Sequence, residues 1–202
     1  MSGDKTIRVT GQAGLDEALA KPSSDDVVIV IDSHPGDFIP NYVFVMDSRG
    51  HAVEACGESR VVVSGHAQLT ARGHSMVEAQ DDAVVRATDF AQVNWRDSSS
   101  GTCGYYARGQ AWDTAKVETR ALCPLFAFDN AEVTARSASR VAAQGNASVF
   151  AYNQAVVEMS GDVDVTAYDQ SVVYCEGGEV YAHDHATVYV LEGADRPSVE
   201  GV

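Results

Sequence analysis

The sequence predicts an all-β chain, a parallel β-solenoid with two eight-residue units per coil and a short N-terminal α/β cap. Three observations carry this. An eight-residue frame runs without insertion from His66 to Gly177, fourteen units such as HAQLTARG, DAVVRATD, NAEVTARS and QSVVYCEG. A fixed internal period of this kind decides the fold before any local reading does. Within each octad, position two is small, position four is Val or Leu except at Gly101 and Gly109, and position six is mostly Ala. Small, aliphatic, small at every second residue is a strand with one buried face. The third observation sets the coil. Position eight taken every sixteenth residue reads Asp81, Asp97, Asp113, Asp129, Gly145, Gly161, Gly177, whereas a twenty-four-residue step gives a mixed series. Trp112 and Phe128, and Tyr152 and Tyr168, also recur at sixteen. Two octads per coil, with small residues at both ends of each strand, imply two sheets packed across a thin core.

The elements follow in order. Residues 1–50 read as a cap: Thr6–Thr10 alternates weakly, and GLDEALAKP is a short amphipathic helix. That helix has Leu15, Ala18 and Leu19 on one face, Asp16 and Glu17 in the first turn and Pro22 beyond its end. Val27–Ile31 and Tyr42–Met46 are apolar strands separated by a turn-rich loop. Such a segment covers the open core and strand edge that a first coil exposes. Residues 51–192 form the repeat, with a seven-residue unit, GEVYAHD, just after Gly177. Residues 193–202 are a polar tail expected to fray. Position eight is Asp, Gly or Asn in eleven of the fourteen octads, residues that tolerate a left-handed corner. Trp95 breaks the rule at an inward position six. Either Gly101 and Gly109 offset its bulk in the core, or it turns outward at a bulge.

Composition bounds the function. At 202 residues the chain suits one domain, and a net charge of −15 argues against direct nucleic-acid binding. No apolar run approaches membrane-spanning length and the N-terminus lacks a signal-like segment. Cys103 and Cys175 at position six and Cys123 at position two read as free buried thiols, which suits a reducing cytoplasm.

Candidate sites lie at the corners. The column Asp81, Asp97, Asp113, Asp129 would stack carboxylates about 4.8 Å apart, a spacing calcium could bridge. Corner preference alone accounts for the same column. His51 and His66 would share an edge with Asp82, and His183 and His185 flank Asp184 at another corner, imidazole and carboxylate chemistry that suits zinc or nickel. No cofactor is required. Catalysis finds little support, since Lys is scarce and no long loop walls a cleft. A carbohydrate-active solenoid enzyme, a metal-binding rod and an acidic DNA mimic are the alternatives. The leading reading is a non-enzymatic structural or protein-binding module, contacting a protein partner or a second copy as a homo-oligomer. Phe90, Tyr105, Tyr106 and Leu122, on the edge opposite the Asp column, would form the contact.

The octads from 51 to 192 resemble the sixteen-residue tandem repeats of bacterial ice-nucleation proteins, built as two eights with Ser/Thr, Ala and Gly at similar places. They do so without the Thr-x-Thr ladder of those proteins. The pattern is similar also to Ala/Val octads of actinobacterial and phage solenoid proteins. The resemblance implies a bacterial or phage origin.

Overall fold

Small inward side chains every second residue let two parallel sheets close on each other, and the chain winds between them for about ten turns. The computed structural model describes residues 5–24, 27–33, 42–191 and 198–201. One sheet has twelve strands, beginning Lys5–Val9, Val27–Ser33, Ala52–Gly57 and ending at Ser198–Gly201; the other has ten, from Tyr42–Val45 to Thr187–Val190. All pairings are parallel within each stack, as a solenoid requires. Val85 lies in register with Leu69 on one side and Gly101 on the other, and Ala87 with Ala71 and Cys103. The two-octad coil is therefore the observed one. The register drops by one residue only where the seven-residue unit falls: Asp164 pairs with Glu179.

The cap is continuous with the rod. Helix Gln12–Leu19 buries Leu15, Ala18 and Leu19, the face the sequence assigned to it. It starts earlier than expected, with Gly11 as an extended N-cap, so Asp16 and Glu17 fall beyond the first turn. The reason is Gln12. Its Nε2 donates to the Phe44 carbonyl at 3.1 Å and its Oε1 accepts from the Phe44 N–H at 2.7 Å. One side-chain amide thus satisfies both backbone groups of an edge strand that lacks a neighbour, and anchors the helix over the core. His51 is buried and does not share an edge with His66. Its Nε2 sits 3.1 Å from the Lys21 carbonyl, just after the helix, while His66 is exposed with Nδ1 3.7 Å from Asp82 Oδ2.

The far end also differs from the expectation. Ser198–Gly201 is a strand on Glu179–Ala182, with Val199 in register with inward Val180, so the tail supplies a last rung. Residues 193–197 lie outside the described residues. No helix among the described residues is long and apolar enough to cross a membrane.

The core is a stack of Ala, Val and Leu, with serines at position two (Ser59, Ser75, Ser99, Ser139, Ser171) also fully buried. Trp95 is its largest member and is wholly enclosed. Its indole crosses the gap between sheets into space that two missing side chains leave. A Cβ on Gly101 would come 2.7 Å from the indole Nε1, and one on Gly109 would overlap ring atom Cζ3. Compensation, rather than an outward bulge, is what the structure shows.

One sequence expectation is overturned. Cys103 and Cys123 form a disulfide, with Cα atoms 6.3 Å apart; Cys56 and Cys175 are free. Reading the spacing along the chain missed the geometry. Position six of one sheet and position two of the other flank the same corner, and Cys103 lies one coil below the Thr119–Cys123 turn. There Thr119 Oγ1 donates to the Cys123 carbonyl at 3.3 Å.

Two outcomes follow. Thiol counting in denaturant without reductant should find two thiols, rising to four after reduction; three or four at the outset would deny the bond. Trp95→Ala should cost about 3–5 kcal/mol in urea unfolding, and Gly109→Val about 1–3 kcal/mol, by a cavity and by overpacking. The double variant restores the regular octad and should be more stable than the two single losses added together.

Candidate functional site

Corners carry the polar chemistry, and most of it is spent on the fold itself. Asp81, Asp97, Asp113 and Asp129 all adopt left-handed backbone, with φ between 53° and 58°. Asp tolerates that region because its short carboxylate bonds locally. Here the bond reaches the neighbouring coil: Asp81 Oδ2 accepts from Gly65 N–H at 3.0 Å, Asp97 Oδ2 from Asp81 N–H at 3.3 Å, and Asp113 Oδ2 from Asp97 N–H at 3.2 Å. The opposite edge repeats the device, with Asn153 Oδ1 accepting from Ser137 N–H and Asp169 Oδ2 from Asn153 N–H. Asp81, Asp97, Asp113 and Asp169 in these ladders each accept from a backbone donor of the coil before. Among the described residues no group of three or more His, Cys, Asp or Glu converges as a metal site would need.

His183 and His185 have different surroundings. His183 ends an aromatic ladder in which Arg136 lies over Tyr152 (4.6 Å), Tyr152 stacks on Tyr168 (4.9 Å) and Tyr168 on His183 (4.8 Å). Stacking along the axis is what identical positions in successive coils produce. His185 is exposed at the corner beside Asp184. On the other sheet Trp112 and Phe128 stack at 4.0 Å with Arg96 over the indole.

The apolar edge is present and uncovered. Phe90, Tyr105, Tyr106 and Leu122 are 52%, 65%, 60% and 59% exposed, so among the described residues neither the N-terminal cap nor the last strand shields them. Phe90 and Tyr106 stack at 5.6 Å, and His74, which the sequence reading left out, extends the stack by lying 5.3 Å from Phe90. All three occupy position one of alternate octads, so the sixteen-residue step was the signal that could have found it. Leu122 continues the column, and Tyr105 stands beside it at position eight with φ of 57°. A tyrosine at a corner position that holds Asp, Asn or Gly in eleven of the fourteen octads leaves the ladder without an acceptor there.

Beside this edge the outer face carries a charged cluster. Arg120 donates from Nε and Nη2 to the two Glu118 oxygens at 2.9 and 3.0 Å, and Arg136 Nε lies 2.9 Å from the same Glu118 Oε1. The Arg120 hydrogen bonds hold the Glu118 carboxyl below its ordinary value; burial opposes them, and the positive charge of both guanidiniums adds to the lowering.

No protein-family model, no curated protein and no solved structure matches this chain.

The Glu118 cluster has a pH signature. A carboxyl whose folded pKa is depressed contributes stability that is present above its unfolded pKa and lost as pH falls through the folded one. Carbon-detected NMR titration should find the Glu118 midpoint below the ordinary value for a glutamate, and Arg120→Gln should move it up. A Glu118 midpoint unchanged by Arg120→Gln would deny the coupling.

Proposed function

We propose that this protein is a non-enzymatic β-solenoid that works as a protein-binding module and self-associates through its apolar edge. The observation that carries the reading is the column Phe90–Tyr106–Leu122 with Tyr105 at its side. These large side chains are each more than half exposed and aligned along the rod, whereas the opposite edge carries chiefly Asp, Ser, Thr, Asn and Gly at the same two octad positions. Contiguous exposed apolar surface rimmed by polar groups marks a contact site. In a parallel solenoid the strand hydrogen bonds run along the rod between coils, so a lateral contact must use side chains. Aromatic side chains supply large area at low entropic cost.

Magnitudes favour a weak dimer. Burying three such side chains contributes roughly 1.5–3 kcal/mol each. Lost translational freedom and side-chain ordering consume most of that. Repulsion between two chains of charge −15 opposes association further. The octad's resemblance to ice-nucleation-type repeats supports a bacterial or phage source. A cytoplasmic setting rested on unpaired thiols, and the Cys103–Cys123 bond removes that support, since such bonds persist in oxidising compartments.

Multi-angle light scattering tests the reading. Wild-type protein should show a concentration-dependent dimer, and Phe90→Ser with Tyr106→Ser should shift it towards monomer, more strongly at low salt where charge repulsion is unscreened. A wild-type chain that stays monomeric at high concentration would end the self-association reading.

A further inference from the structure

The apolar edge adjoins a break in the outer columns. Position seven along this face reads Arg72, Thr88, Gly104, Arg120, Arg136, and Gly104 is the gap: a Cβ built there meets nothing within 4 Å. The resulting depression, about 510 Å³, is lined by Arg86, Thr88, Thr102, Gly104, Tyr105 and Arg120 among others. Two of Arg120's five N–H donors are taken by Glu118. Arg86 makes no ion pair among the described residues, on a chain with 14 basic and 29 acidic residues.

The corner at the rim of the same depression has lost its internal acceptors. Elsewhere on this edge the Phe90 N–H donates to the Gly73 carbonyl (3.1 Å) and the Gln154 N–H to the Ser137 carbonyl (3.0 Å). The equivalent Tyr106, Leu122 and Ala138 N–H groups have no acceptor among the described residues. Nor do those of Asp89, Tyr105 and Ala121, because the next coil offers Tyr105, Ala121 and Ser137 where the ladder elsewhere offers a carboxylate or amide. Rows of unpaired N–H groups at a left-handed turn make an anion-binding concavity, and a guanidinium beside them adds charge-assisted hydrogen bonds.

We propose that the Gly104 notch binds a carboxylate, presented by an acidic side chain that neighbours an apolar one in a partner segment. This deepens the protein-binding reading and rests on it. Local charge selects the class of anion. Three guanidiniums, Arg86, Arg120 and Arg136, stand with two carboxylates, Glu118 and Asp89 at the corner one coil before, so this neighbourhood carries one net positive charge among the described residues and a monoanion matches it better than a phosphate dianion. The flanking Phe90, Tyr105, Tyr106 and Leu122 supply the apolar half of the recognition.

The test uses the whole, ¹⁵N-labelled protein titrated with phenylacetate, benzyl alcohol and phenyl phosphate. Phenylacetate should shift the Tyr105, Tyr106 and Leu122 amides saturably, and more tightly than either of the others. Arg86→Gln should weaken it at least about fivefold, as loss of a charge-assisted hydrogen bond would. Gly104→Leu should do the same by filling the notch, and space for its side chain keeps that variant folded. An acetylated tetrapeptide alternating phenylalanine and aspartate should bind tighter than phenylacetate, and its asparagine version should not. Absent or non-saturable shifts, equal binding of benzyl alcohol, tighter phenyl phosphate, or indifference to both substitutions would each overturn the notch. A tetrapeptide no tighter than phenylacetate would overturn the partner-segment assignment. The notch and the associating edge fail separately. A phenylacetate site on a chain that never associates removes the self-association reading alone, and an associating chain with no phenylacetate site removes the notch alone.

Discussion

The distance between the two sheets governs the rest of the molecule. Alanine, serine or cysteine at inward positions two and six brings the ends of opposing strands close together, while one Val or Leu at position four fills the middle of each rung. Close-packed interiors have no slack for larger groups, so every departure has to be answered nearby. Trp95 is answered by Gly101 and Gly109, on the facing and adjacent strands. The same closeness brings Cys103 and Cys123 within bonding reach across a corner, with no distortion of the strand register on either side.

Turning the chain through so tight a corner requires one left-handed residue per octad. The edges solve this with Asp, Asn and Gly, then reuse the polar side chains as acceptors for the coil before. The carboxylate column thereby serves as a structural seam, with oxygens of Asp81, Asp97 and Asp113 accepting N–H groups of the coil before. On the opposite edge, where Tyr105 and Ala121 interrupt the ladder that Asn153 and Asp169 carry further along, donors are left unpaired and bulky side chains stand outward. Binding capacity and structural regularity trade against each other at the same positions.

The fold was legible because periodicity is additive: fourteen octads repeat the inward pattern, and the sixteen-residue column at position eight settles how many make a coil. The apolar edge was legible for the same reason. What escaped were relations between positions of different number. Cys103 and Cys123 are twenty residues apart, a spacing that carries no signal until the coil is closed and positions six and two meet. His51 was placed with His66 at a corner by residue type, yet Glu54 pairs with Thr70 sixteen residues on, so His51 takes an inward position two and the Lys21 carbonyl just after the helix claims its ring. Gln12 reads as an ordinary polar residue before a helix, and nothing in its neighbours announces that it clamps Phe44, thirty-two residues away. The gap at Gly104 is an absence in a column, visible only when the neighbouring side chains are given their places.

The sixteen-residue register makes this architecture tolerant of some length changes and intolerant of others. Loss or gain of sixteen residues removes or adds one rung and leaves every later side chain on its own face and edge. Loss or gain of eight keeps all inward residues inward, since the octad pattern is the same on both sheets, yet it carries everything downstream to the opposite side of the rod. Phe90 and Tyr106 would then part company, and the seam of aspartates would be spliced onto the aromatic edge. Surface identity in this protein is thus inherited in units twice as long as those that specify its core, so a lineage that duplicates octads singly would reshuffle its surfaces without losing its fold.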